Sequence, residues 1–156
     1  MPRKIDALLA EYGESHQNPT NKAIHWVCVP VIVWTVAALL WSLPVPAVFA
    51  GAPNLTWLTP VLVGAILYYL VVSWRLAIGF TLYAMGCLWL IVFYENTFAL
   101  PLWQFALIVF VIAWIGQFWG HKVEGKKPSF FKDVQFLLIG PAWLLHFLYK
   151  RAGISY

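Results

Sequence analysis

The chain is short of charge. Ten Lys and Arg and six Asp and Glu among 156 residues make it only 10% charged, while 62% is hydrophobic. A water-soluble domain carries closer to a quarter charged residues, so this composition excludes an ordinary soluble fold and points to a lipid solvent. Cysteine is scarce too. Cys28 and Cys87 both fall inside apolar runs, where they read as small buried hydrophobes, which excludes a disulfide framework and a thiolate metal site. No basic stripe with interleaved exposed aromatics accompanies the net charge of +4, so a nucleic-acid partner is not expected. The start of the chain, MPRKIDALLAEYGESHQ, lacks the apolar core and small-residue cleavage site of a signal peptide, so the first apolar span is expected to act as its own insertion signal.

Long apolar runs and aromatics are abundant, including ten Trp, a residue favoured at bilayer interfaces. Four stretches, 24–43, 57–74, 76–93 and 99–120, have about the 17–25 residues that cross a hydrocarbon core roughly 30 Å thick. The expectation is an all-α, polytopic membrane bundle in a single domain, residues 1–156, with 57–74 and 76–93 forming a hairpin separated by Arg75. With the N-terminus inside, Arg3, Lys4, Lys22, Arg75, Lys122, Lys126, Lys127, Lys132, Lys150 and Arg151 all fall on the inner side. Positive charge collects on the cytoplasmic face, so both ends are expected there. A fifth apolar stretch, 134–149, is short and interrupted by Gly140-Pro141, which predicts a kinked or split, re-entrant or interfacial helical segment. At the other end, Ile5, Leu8, Leu9 and Tyr12 recur at helical spacing, as in a helix lying along the membrane surface.

Under this topology His16, His25 and His121 reach one membrane face, and His146 joins them if 134–149 does not cross. Asn18-Pro19 is a helix start, with Asn as N-cap and Pro as first helical residue. Asn21 and His25 then share a helical face, as do Gln117, His121 and Glu124. Imidazoles with a carboxylate at a bundle end suit zinc or non-haem iron, with Asn21 and Gln117 placed to orient the rings. Each histidine can also be read as an interfacial side chain, and Glu124 as a solvated partner of Lys126 or Lys127. The lysines suit anionic lipid headgroups. Gly120, Gly125 and Gly140 read as packing or turn glycines.

Two blocks carry a family resemblance. YGESHQNPTNKAIHWVCVP, residues 12–30, and WIGQFWGHKVEGKKPSFFKDVQFLLIGPAWLL, residues 114–145, resemble the signatures of a membrane 2-hydroxy fatty acid dioxygenase family first described as a domain of unknown function. Its fungal members are iron-dependent enzymes of the endoplasmic reticulum that shorten 2-hydroxy fatty acids by one carbon. The short chain here is similar to a bacterial branch, which implies the inner membrane. The resemblance implies Fe(II) as cofactor, O2 as co-substrate and a 2-hydroxy fatty acid substrate. It maps the family's histidines onto His16, His25 and His121, with Asn21, Pro30, Gln117 and Gly120 in the surrounding motif. His146 and Glu124 stand as further ligand candidates. Two other readings are a haem-binding electron carrier with axial histidines and a metal-binding membrane protein without catalysis. A transporter is disfavoured because the span interiors hold no ionisable residue, and a di-iron desaturase because four histidines are too few.

Overall fold

The computed structural model describes residues 4–14, 16–47, 51–52, 55–125 and 137–155. These form six helices: α1 (Lys4–Glu14), α2 (Pro19–Ser42), α3 (Leu58–Val72), α4 (Trp74–Thr97), α5 (Leu102–Glu124) and α6 (Ile139–Arg151). No strand occurs among the described residues. Three helices, α2, α4 and α5, are long and apolar enough to cross a membrane. Only 28–39% of their apolar windows is buried within the protein. Side chains such as Leu82, Trp89, Ile112 and Ile115 therefore stand exposed, an outer surface suited to lipid rather than water.

Local chemistry explains the helix boundaries. Asn18 has an extended backbone, and its side chain accepts from the Thr20 and Asn21 amides at 2.8 and 3.4 Å. Pro19 follows as the first helical residue, where its missing N–H costs nothing. The break between α3 and α4 falls at Ser73 rather than at Arg75. Ser73 is extended, its amide donates to the Tyr69 carbonyl at 2.7 Å, and its hydroxyl accepts from the Leu76 amide at 3.4 Å. One polar residue thus ends one helix and caps the next, leaving Arg75 inside the first turn of α4. As a result α3 has 15 residues, shorter than the expected 57–74 and about 22 Å long.

The tightest packing joins α2 to α5 through two glycines four residues apart. A Cβ on Gly116 would lie 2.9 Å from Cys28 Sγ, and one on Gly120 would lie 2.5 Å from Asn21 Oδ1. Small residues at this spacing let helix backbones approach closely in lipid.

Two terminal segments depart from expectation. The apolar face of α1 is covered by protein rather than left for the membrane surface: Ile5, Leu9 and Tyr12 are buried in one cluster with Trp143, Ala142, Leu76 and Tyr69. Gly140-Pro141 stands at a helix start among the described residues, in the first turn of α6. The first amides of a helix have no internal partner, so proline is tolerated there. At 13 residues, α6 is about 20 Å long, too short to cross a ~30 Å core. It packs instead against α1, α2 and α4. Residues 134–136 of the expected apolar segment, together with Arg3, Lys126, Lys127 and Lys132, lie outside the described residues.

Candidate metal centre

His16 lies in the short connection between α1 and α2. Its amide donates to the Gly13 carbonyl at 3.0 Å, which bends the chain back over the end of α1. Its ring stacks on Tyr12, with centroids 4.3 Å apart and planes 17° from parallel. His25 stands in the second turn of α2 and His121 in the last turn of α5. All three are buried, at 2%, 0% and 4% exposure, well below what an interfacial histidine with its ring in the headgroups would show.

The rings converge edge to face. Centroid separations are 4.1 Å for His16–His25, 5.1 Å for His25–His121 and 5.6 Å for His16–His121. One ring nitrogen from each histidine lies within 4.8 Å of the others, a spacing of the order that a single ion bridges.

Backbone carbonyls orient two of the rings. Nδ1 of His16 donates to the Tyr12 carbonyl at 2.6 Å, and Nδ1 of His25 donates to the Asn21 carbonyl at 3.0 Å. A carbonyl can only accept, so each Nδ1 carries the proton and each Nε2 keeps its lone pair. This is the arrangement in which a histidine's outer hydrogen bond selects the tautomer that can bind a metal. Nε2 of His25 is fully buried and has no hydrogen-bond partner. Such an atom costs on the order of 1–3 kcal/mol unless something fills it. The residues therefore fit a resident metal ion.

Glu124 is close by but already engaged. Its carboxylate accepts from the Gln17 amide at 2.8 Å, the Asn18 amide at 2.9 Å and Asn21 Nδ2 at 2.9 Å. These bonds tie the end of α5 to the loop that carries His16. Asn21, buried at 0% exposure, thus meets Glu124 through its side chain and His25 through its carbonyl. Gln117, one turn before His121 and 5% exposed, has an Oε1 with no hydrogen-bond donor. It borders a cavity of about 20 Å³ with Tyr12, Val29 and Trp114, room for one water molecule.

His146 is not in the group. It is half-buried on α6 beside Phe147, ring centroids 5.3 Å apart, and burial, aided by Lys150, holds its imidazole below the ordinary histidine range. Sequence reasoning counted Tyr12 only as an apolar position and passed over Trp143, whose ring lies 5.3 Å from that of His16. For Tyr12 a signal was available: it is one helical turn before His16.

A family model described as 2-hydroxy-palmitic acid dioxygenase Mpo1-like matches residues 3–152. The chain belongs to this Mpo1-like family. The match spans both quoted blocks and all four histidines. No match was found among curated proteins or among solved structures.

Proposed function

We propose that the protein is an Fe(II)-dependent dioxygenase that converts a 2-hydroxy fatty acid to the acid one carbon shorter. In this reaction the 2-hydroxy acid and O2 become the shortened acid, CO2 and water, with cleavage between C1 and C2. The observation that carries the reading is the buried His16–His25–His121 group in a chain of the Mpo1-like family. Three imidazoles alone would equally suit zinc; the family's oxygen chemistry favours iron. Bound Fe(II) would supply open coordination positions and the redox capacity that O2 activation requires. The edge-to-face crowding of the rings suits a single ion better than a planar macrocycle, which weighs against the haem reading.

The chain's own residues hold and shield this centre. The Tyr12 and Asn21 carbonyls keep two imidazoles in the ligating tautomer, and Glu124 fixes the loop that positions His16. Tyr12 and Trp143 cover His16 and restrict water.

We further place both chain ends and the metal centre on the cytoplasmic side, of the inner membrane for a bacterial protein. Two sets of contacts support four crossings. Arg75, at the start of α4, donates to the Ser155 carbonyl and hydroxyl, beside the chain's end. Trp41 Nε1 donates to Glu95 Oε2, and Trp57 Nε1 to the Pro44 carbonyl, both at 3.1 Å, at the opposite end of the bundle. On this reading the 15 residues of α3 cross together with the flanking Thr56, Trp57 and Ser73.

The test is metal analysis of the purified protein by mass spectrometry, with product analysis after incubation with a 2-hydroxy fatty acid and labelled O2. Iron that co-purifies and a product one carbon shorter are expected. Metal-free protein that still forms that product would overturn the iron assignment.

A further inference from the structure

Where α6 passes α2, the two helices leave a cleft of about 590 Å³, bordered by Trp26 of α2 and by Phe147, Leu148, Lys150 and Arg151 of α6. The Trp26 and Phe147 rings lie 6.3 Å apart, centroid to centroid. Lys150 and Arg151 form the last turn of α6 and are exposed. Lys22 stands one helical turn before Trp26, on the same face of α2. A second cavity, about 210 Å³, lies between α2, α4 and α6. Its walls include Val29 and Pro30 of α2 and Leu144 and Leu145 of α6. Tyr83 of α4 borders it as well, but its hydroxyl donates to the Pro30 carbonyl at 2.7 Å, so the lining is apolar throughout. The two spaces adjoin at Trp26 and Leu148, which border both.

We propose that this pair of spaces binds an anionic membrane phospholipid, its phosphate at Lys150 and Arg151 and one acyl chain in the apolar cavity. The inference is independent of the dioxygenase reading. Each part of the lining selects one part of the ligand. Adjacent ammonium and guanidinium groups on an exposed helix end attract a phosphodiester, whose charged oxygens accept their hydrogen bonds. Trp26 suits the headgroup depth, with an apolar ring body and a polar N–H. The smaller cavity offers no hydrogen-bonding group, so it takes hydrocarbon and nothing more polar; left empty, its walls would forfeit contacts on every side. The cleft at the charged end is far roomier than a carboxylate requires, which favours a phosphodiester with its glycerol over a free fatty acid. A zwitterionic lipid carries a cation beside its phosphate and gains little from Lys150 and Arg151.

The test uses the full chain as purified in detergent, followed by native mass spectrometry and thermal melting. The probes are phosphatidylglycerol and phosphatidylcholine with identical acyl chains, oleate, and inorganic phosphate. One equivalent of phosphatidylglycerol is expected to stay bound and to raise the thermal midpoint, since a ligand of the folded state stabilises it. Its affinity is expected to exceed that of phosphatidylcholine by on the order of tenfold. Lys150→Gln with Arg151→Gln should erase that preference. Lys126→Gln with Lys127→Gln, the same charge removed elsewhere in the chain, should keep it. Leu148→Asp, at a half-exposed position bordering both spaces, should weaken both lipids. The headgroup comparison on the unsubstituted protein gives a readout even where a variant fails to fold. Equal retention of the two phospholipids, an equal loss of preference in both double variants, or the same stabilisation by inorganic phosphate alone overturns the proposal. So does oleate that displaces phosphatidylglycerol at equal concentration, which would assign the site to a fatty acid instead.

Discussion

At the scale of single residues, the centre depends on side chains whose hydrogen bonds point away from the metal position. His121→Ala removes one of three ring nitrogens, so metal content measured by mass spectrometry should fall close to background; unchanged content would rule out this site. Glu124 tests the distinction between holding and ligating. Its carboxylate accepts three hydrogen bonds from the His16 loop and Asn21, so Glu124→Ala frees that loop without removing a ring. Losing such an outer partner typically costs 10–100-fold in metal affinity. Titration with a competing chelator should show a loss of that size, with metal still bound at saturation. The burial of Asn21 and Gln117 near His25 and His121 was legible from helical spacing, whereas the use of the Asn21 backbone carbonyl to orient the His25 ring was not. Glu124's partners were not legible either, because Gln17 and Asn18 lie more than a hundred residues away and contribute backbone amides, which any residue type supplies.

Among helices, the α2–α5 contact carries the centre. Gly120 lies against Asn21, and an added methyl there would press on Asn21 Oδ1 at 2.5 Å. Gly120→Ala should therefore disturb both packing and metal retention, at a cost on the order of 1–3 kcal/mol, visible as a lowered thermal midpoint in detergent. Gly86→Ala, mid-helix in α4 with open space at its Cβ, is the matched control and should not lower that midpoint. Helix starts could be read from local chemistry, as at Asn18-Pro19. The α3–α4 break lies at Ser73, two residues before Arg75, because the hydroxyl that caps α4 sets the boundary and a charge inside the first turn does not. Gly140-Pro141 was ambiguous in the sequence, and it stands at the start of α6. Proline breaks a helix interior yet suits a first turn, and only the position of the helix start distinguishes the two cases.

For the whole molecule, the exposed apolar belt of α2, α4 and α5 and the proposed orientation predict a simple sidedness. A protease-cleavable tag at either end should be cut in inverted vesicles and protected in right-side-out ones; cutting of one end in each preparation would refute the paired-ends topology. Helical class, helices long and apolar enough to cross a membrane, and the convergence of His16, His25 and His121 were all legible in the sequence itself. They follow from composition, run length and charge distribution, which are properties of the chain and not of its packing. Tertiary structure alone decided that α1 buries its apolar face against α6, that Glu124 latches the His16 loop, and that His146 stands apart from the other three. Those outcomes depend on which distant segments meet. In an apolar chain the hydrophobic pattern says little about that choice, since nearly every helix face could be buried. The few glycines and polar groups that fit only one partner make it.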